Sequence, residues 1–391
     1  MANPTFTIIG TNSFGLSNSG SEGAPALADL DGDGDLDLLA GNSGGDTVFY
    51  RNTGTSLAPT FSLEGTNPFG IANLSQGGAL PALADIDGDG DLDLFIGNHA
   101  GSTLFYRNTG TSLAPTFSLE GTNVFGIQSS GSYGAPSFAD LDGDGDLDLV
   151  IGNAAGDLLY YRNTGTSLAP TFSLVGTNVF GMIQASDGYA APALKDIDGD
   201  GDVDLINKSV VYINTGTTAS PTFSLVGTNA FMTGDPGGYP RPALGDLDGD
   251  GDIDMLFADD SGNKSYFRNV SPVTVTLGSG GTTITLSQVN TLTGGTGTDV
   301  VTLSNIGATF LVTGVETLTG STGTDAVTLG TGGNTLLVSG IETLTGGSGT
   351  DVVTLGSGGN TLTVGGVERL TGGTGTDVVT LATDGNTLTV S

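Results

Sequence analysis

Nine residues of the form Asp-x-Asp-Gly-Asp-Gly-Asp-x-Asp recur five times, at Asp29 to Asp37, Asp85 to Asp93, Asp140 to Asp148, Asp196 to Asp204 and Asp246 to Asp254. A recurrence of this length constrains the fold before any composition does, because each copy must sit in an equivalent structural unit. The phrase Pro-Thr-Phe keeps the same beat at Pro4, Pro59, Pro115, Pro170 and Pro221, with intervals of 55, 56, 55 and 51 residues. Each unit reads as a strand such as Pro115 to Gly121, a Phe-Gly turn, a strand such as Ala135 to Leu141, the Asp-rich loop, and strands such as Leu147 to Asn153 and Leu158 to Asn163. Four strands in about 55 residues, repeated, predict the blades of a β-propeller, and five units predict five blades. Thr5 to Ile9 matches the strand that precedes the Asp loop in later units, and Ser265 to Asn269 matches a last strand. The N-terminal strand is therefore expected to complete the final blade and close the ring, the alternative being an open array with unprotected sheet edges.

Beyond Val270 aromatic residues almost vanish and a period of 26 takes over, marked by Asp299, Asp325, Asp351 and Asp377. One unit holds three short β-branched runs, for example Val352 to Leu355, Thr361 to Val364 and Val367 to Leu370, separated by Gly-rich corners. Three strands and three corners suit one 26-residue coil of a parallel β-solenoid, with Val273 to Asn290 as a degenerate first coil. The chain is thus read as all-β, with a five-bladed propeller over residues 1–271 and a solenoid over residues 272–391.

The Asp loop carries the chemistry. Its candidate metal-ligating residues are Asp29, Asp31, Asp33, Asp35 and Asp37 in the first copy and Asp85, Asp87, Asp89, Asp91 and Asp93 in the second. Asp140, Asp142, Asp144, Asp146 and Asp148 form the third, and Asp196, Asp198, Asp200, Asp202 and Asp204 the fourth. Asp246, Asp248, Asp250, Asp252 and Asp254 form the fifth. Carboxylates at loop positions 1, 3 and 5 converge when the Gly at position 6 turns the chain, position 7 offers a main-chain carbonyl, and position 9 closes the shell. About six hard oxygens with flexible spacing favour Ca²⁺ over Mg²⁺. A helix-flanked calcium loop needs a Glu at position 12. Here that position is Ala40, Ile96, Ile151, Asn207 or Phe257, and the flanks alternate as strands do.

Charge agrees with that reading. Nine Lys and Arg stand against 42 Asp and Glu, a net charge of -33, and the five loops hold 25 of the 42 acids. A field of this sign disfavours nucleic acid and anionic membrane surfaces and favours divalent cations. With no Cys there is no disulfide framework or thiolate site. No apolar run is long enough for a membrane span. Met1 to Gly10 has neither a basic nor an apolar leader region, so export is expected by a type I-like route or by a signal outside this sequence.

With Phe14-Gly15 followed by Gly23-Ala24-Pro25, and Phe125-Gly126 followed by Gly134-Ala135-Pro136, the units resemble the FG-GAP/VCBS repeats of integrin-like propellers, over residues 4 to 270. Leu80-Pro81, Ala191-Pro192, Phe231-Met232 and Arg241-Pro242 depart from the motif while leaving the Asp loops whole. That family usually builds seven blades. The resemblance implies calcium-loaded loops and does not exclude catalysis, since some such propellers belong to polysaccharide lyases. The turns Gly294 to Asp299, Gly346 to Asp351 and Gly372 to Asp377 resemble the RTX nonapeptide, with Gly320-Ser321 breaking the Gly pair in one unit. That likeness leaves two readings of these Asp residues open: calcium held between coils, or a carboxylate capping a Gly corner.

Arg51, Arg107, Arg162 and Arg268 occupy one position of four units, with Ile213 in the other. They read as salt bridges between neighbouring blades, and less readily as an anion site. His99, the sole histidine, reads as a solvated loop residue, and Glu316, Glu342 and Glu368 as a stacked ladder on the solenoid. Tyr50, Tyr106, Tyr161, Tyr212 and Phe267 are the only repeated aromatic candidates for sugar platforms. The acids are repeated rather than placed once, which argues against an enzyme. The expectation is an extracellular or cell-surface structural or adhesive protein, calcium-stabilised and assembling into homopolymers or surface arrays or meeting a matrix partner, with a glycan-binding propeller as the alternative. Near-identical surfaces such as Arg51 to Leu63 and Arg107 to Leu119, and a solenoid terminus without a polar cap, motivate the assembly expectation.

Overall fold

The computed structural model describes residues 4–55, 58–185, 188–228, 230, 232–233, 239–270, 274–286, 289, 291–303, 309–321, 323–382 and 389–390. Every regular element among them is a β-strand, and no helix is long and apolar enough to cross a membrane. The chain divides into two units, residues 1–271 and 272–391.

The first unit is a five-bladed propeller. Four sheets take four consecutive strands each, beginning with Ala24–Ala28, Leu80–Ala84, Ala135–Ala139 and Pro192–Lys195. The fifth blade begins at Arg241–Gly245 and is completed by the N-terminal strand Phe6–Thr11, which pairs antiparallel with Lys264–Asn269. The ring closes as expected, and the first strands of the five blades touch one another in cyclic order around a central channel. Small residues and Pro suit this crowded innermost position, where Pro25, Pro81, Pro136, Pro192 and Pro242 line a cavity of about 200 Å³. The second strands, such as Asp37–Gly41 and Asp148–Gly152, are buried on both faces, so they read as continuous apolar runs instead of alternating. Between blades the core is Leu, Ile, Phe and Tyr, for example Phe95, Phe105, Ile151 and Tyr161 in one cluster. Burial of that kind contributes about 25 cal/mol per Å².

The second unit is a parallel solenoid of two seven-stranded sheets facing each other across an aliphatic core. Its period differs from the sequence period. Residues stacked one coil apart are separated by 17 positions, as in Thr274↔Thr291 and Val300↔Thr317, or by 20, as in Thr291↔Leu311. A 26-residue unit therefore spans about one and a half coils and not one. The physical reason is parity: each unit supplies three strands, consecutive strands alternate between two sheets, and an odd number returns the next unit to the opposite sheet. Val300–Leu303 and Val352–Leu355 lie in one sheet, while Ala326–Leu329 lies in the other. Inward Leu and Val alternate with outward Thr, as in the buried Val353 and Leu355 beside the exposed Thr354. Val273 and Asn290, which bound the expected first coil, lie outside the described residues.

Candidate metal centres

Each Asp loop joins the first and second strands of its blade, so all five occur at the same end of the channel-lining strands. Gly34 at position 6 has φ +94, a left-handed value open to Gly, and this reverses the chain so that side chains converge. The first Asp then ties the loop: Asp29 Oδ1 accepts from the Gly32 N–H at 2.6 Å and Oδ2 from the Gly34 N–H at 3.0 Å. The same pair of bonds recurs at Asp85, Asp140 and Asp196. The loop is thus shaped by its own backbone before any ligand arrives.

Carboxylate oxygens within 4.8 Å of one another gather at Asp29, Asp31 and Asp33, at Asp85, Asp87 and Asp89, and at Asp246, Asp248 and Asp250. In the third and fourth loops the gathered trios are Asp140, Asp142, Asp148 and Asp196, Asp198, Asp204. Positions 1 and 3 are common to all five, with position 5 or 9 joining them. The position-7 side chains, Asp35, Asp91, Asp146, Asp202 and Asp252, are in none of these trios.

Position 9 is the buried member. Asp37, Asp93, Asp148, Asp204 and Asp254 are each at most 1% exposed, and each accepts the backbone N–H of an Asn on the third strand at 2.7 Å. Desolvation is the largest cause acting on all five. It pushes Asp93 and Asp148 up to about 6, Asp37 and Asp204 to about 7, and Asp254 to about 8, against an ordinary 3.8. In the fifth loop burial also raises Asp248 to about 7 and Asp252 to about 6. Buried carboxylate oxygens at Asp87 Oδ1, Asp93 Oδ2, Asp248 Oδ1 and Asp252 Oδ2 have no hydrogen-bond partner. Buried oxygens without donors, beside like charges, are what a bound cation relieves.

The repeated Arg residues pair within their own blade and not between blades. Arg51 Nη1 lies 2.7 Å from Asp31 Oδ2, and Arg107, Arg162 and Arg268 likewise meet the position-3 Asp87, Asp142 and Asp248. The third strand rises beside the loop of the same sheet, so its guanidinium reaches that loop first. The fourth blade has Ile213 there, and burial followed by the neighbouring Asp200 raises Asp198.

The solenoid Asp residues do different work. Asp351 is fully buried; its Oδ1 accepts from the Asn334 N–H and side-chain amide at 2.9 Å each, and its Oδ2 from the Gly347 N–H at 2.9 Å. Asp299 and Asp377 hold their corners the same way, and Asp325 accepts from the Ser321 N–H. Of the two readings left open by the sequence, the corner cap is the one whose bonds are in place. The Glu residues form no ladder, because successive units face opposite sheets. Glu316, Glu342 and Glu368 instead accept the N–H groups of Asp299, Asp325 and Asp351 one coil away, at 2.7 to 2.8 Å.

Two other expectations change. Tyr50, Tyr106, Tyr161, Tyr212 and Phe267 are all at most 3% exposed and are core. His99 is no solvated loop residue: its Nε2 lies 2.8 Å from Glu22 Oε2 and its ring stacks on Tyr133 at 4.8 Å. The repeat hid this cluster from sequence reasoning, since its members come from three different blades.

The profile of the FG-GAP-like repeat matches residues 29–96, 85–151 and 140–206. Integrin alpha-4 of Xenopus laevis is 31% identical over 146 residues, which is 33% of this chain and 14% of that protein. Among solved structures, the alpha-L-arabinofuranosidase of Podospora anserina in complex with cellotriose superposes with a TM-score of 0.40 at 12% identity, over 68% of this chain and 97% of that one. BBS1N in complex with ARL6DN gives a TM-score of 0.30 at 11% identity, over 63% of this chain and 60% of that one.

Proposed function

From a propeller built on FG-GAP-like repeats, we propose that this protein is an extracellular adhesive module whose blades are locked by calcium. The observation that carries the proposal is the set of buried, partnerless carboxylate oxygens in loops whose backbone already converges. The carboxylates at positions 1, 3, 5 and 9 and the main-chain carbonyl at position 7 would hold the ion, the position-7 Asp entering through its backbone. Calcium supplies charge neutralisation and a cross-link between the first three strands of each blade. All-oxygen donors with irregular spacing suit Ca²⁺ better than the strict octahedron of Mg²⁺. Loops of this kind fill at the roughly 10⁻⁴ to 10⁻³ M affinities of extracellular modules. The likeness to integrin alpha-4 over 146 residues supports an adhesive role at a surface.

The role assigned is binding and not catalysis, because the acidic groups repeat five times in one loop type. Self-association belongs to the same reading, with cation binding offsetting the -33 charge that keeps copies apart. Metal analysis of protein desalted from millimolar calcium tests the proposal: five ions per chain are expected, and fewer than three would overturn it. Light scattering with calcium and with chelator tests assembly, and monodisperse monomers under both conditions would remove that part.

A further inference from the structure

The five blades repeat closely except at the end of the channel opposite the Asp loops. Three residues before the innermost Pro, equivalent positions carry Glu22, Gly78, Tyr133, Tyr189 and Tyr239. In the turn between second and third strands, equivalent positions carry Ser43, His99, Ala154 and Asp260, and the shorter turn of the fourth blade carries Lys208. Sequence identity is kept where the fold needs it and given up around this one rim.

The divergent side chains interlock. Tyr133 is buried against Ala24, Leu80 and Ala135 and closes the channel floor. Its hydroxyl donates to Glu22 Oε2 at 3.2 Å and accepts from Arg241, whose Nη1 lies 3.6 Å from Asp260 Oδ1. A Cβ at Gly78 would come within 2.1 Å of His99 Cδ2, so the missing side chain there makes room for the imidazole. Tyr133, Tyr189 and Tyr239 follow edge to face at 5.0 and 5.7 Å, and Lys208 Nζ covers one face of Tyr239 at 4.4 Å. Glu22, Tyr133, Tyr189 and Lys208 all hold φ between 54 and 61, a left-handed backbone that side chains this large adopt only under constraint.

Over this floor Tyr189 and Tyr239 stay 41% and 40% exposed, against at most 3% for the repeated aromatic positions in the core. The rim carries both signs, Asp260 beside Arg241 and Lys208 over Tyr239, inside a chain of net charge -33. Acceptors and donors alternate beside flat apolar rings. A ring with an apolar face and hydroxyls that both donate and accept matches these groups. We propose that this end of the propeller channel is a binding site for a neutral sugar unit, with Tyr189 and Tyr239 as the platform and Glu22 and His99 as the hydroxyl-reading groups.

The test is calorimetric titration in calcium with neutral oligosaccharides of glucose, galactose, mannose and xylose, and with uronate and sulfated oligosaccharides alongside. At least one neutral series is expected to bind, Tyr189→Ala and Tyr239→Ala each weakening it about tenfold or more, Glu22→Gln several-fold, and Tyr189→Phe little. Melting temperature and calcium content should stay unchanged in the tyrosine variants, which separates loss of the site from loss of the fold or of the cations. Absence of binding to every neutral series, tighter binding of the charged series, or binding indifferent to Tyr189→Ala and Tyr239→Ala would each overturn the proposal.

Discussion

Asp93→Asn separates a cation ligand from an ordinary buried carboxylate, because the gain it brings without the cation should vanish when the cation is present. Asp93 is 1% exposed, accepts the Asn108 N–H through Oδ1, and leaves Oδ2 without a partner. Burial and the charges of Asp89, Asp85 and Asp91 raise it to about 6. For a group shifted from 3.8 to about 6, the linkage cost of ionising it in the folded state at pH 8 is about 3 kcal/mol. The amide carries no charge, keeps the Asn108 bond and turns its N–H₂ toward the neighbouring carboxylates. In chelator at pH 8 the variant should therefore melt above the parent by several degrees, at roughly 2–4 °C per kcal/mol for a domain of this size. In calcium at about a hundred times the dissociation constant, losing one site costs about 2.7 kcal/mol, which offsets that gain, and the variant should melt within about a degree of the parent. Differential scanning calorimetry under both conditions, with metal counts falling from five to four, checks the pair. A variant that melts below the parent in both conditions with five ions retained would refute the reasoning.

Three further outcomes follow from the same geometry. The position-9 carboxylates have folded-state values raised to about 6–8, so the folded cation-free chain holds more protons than the unfolded one between pH 4 and 8. Its stability should fall as pH rises from 5 to 8, while saturating calcium, competing with those protons, should invert the slope; parallel slopes in thermal melts would contradict this. Ile213→Arg should bring a guanidinium to Asp198, as in the other four blades, and weaken calcium binding at the fourth loop about tenfold, the cost of one positive charge roughly 6 Å from a divalent ion at a dielectric near that of water, as suits a side chain this exposed. An unchanged binding isotherm would count against the Arg-to-position-3 account. Asp351→Ala should destabilise the solenoid by about 3 kcal/mol or more, since it strands the buried donors of Asn334 and Gly347. Circular dichroism melts of this variant should shift equally with and without chelator.

Most of the propeller was legible because its signal is a repeat, and a repeat fixes equivalence without needing any single strand to be read well. Blade closure followed from Thr5 to Ile9 matching later strands, and the strand Phe6–Thr11 does pair with Lys264–Asn269. The Asp loops were legible as loops because Gly at position 6 and alternating flanks leave little else. What the sequence concealed depended on parity and on meetings across blades. Three β-branched runs per 26 residues look the same whether they form three faces of one coil or alternate between two sheets. Only the stacking of Thr317 on Val300 and of Leu337 on Thr317, 17 and 20 residues apart, decides it. The Arg positions were read one step too far, since the third strand of a blade passes its own Asp loop before any neighbour's. His99 carried no local signal, because Glu22 and Tyr133 reach it from two other blades of the ring.

The two units use one residue type in opposite ways, and the difference lies in the count of donors, not of charges. In the solenoid the corner Asp finds its donors, so Asp351 meets N–H groups on both oxygens and is buried with its hydrogen bonds already made. One carboxylate that accepts two or three N–H bonds is stable in that setting. In a propeller loop five carboxylates share nine residues, and the backbone can supply donors only to some of them: positions 1 and 9 take most, leaving oxygens such as Asp87 Oδ1 and Asp248 Oδ1 buried and bare. Adding more N–H groups cannot solve this, because the chain between the Asp residues is too short to offer them. A small ion that takes many oxygens at once does solve it, and the repeated Arg of the third strand, reaching one or two carboxylates of five, does not. Calcium dependence should accordingly divide the chain: chelation should melt the propeller and leave the solenoid's transition in place. A single transition that moves as a whole with calcium would show that the corner carboxylates also carry the ion.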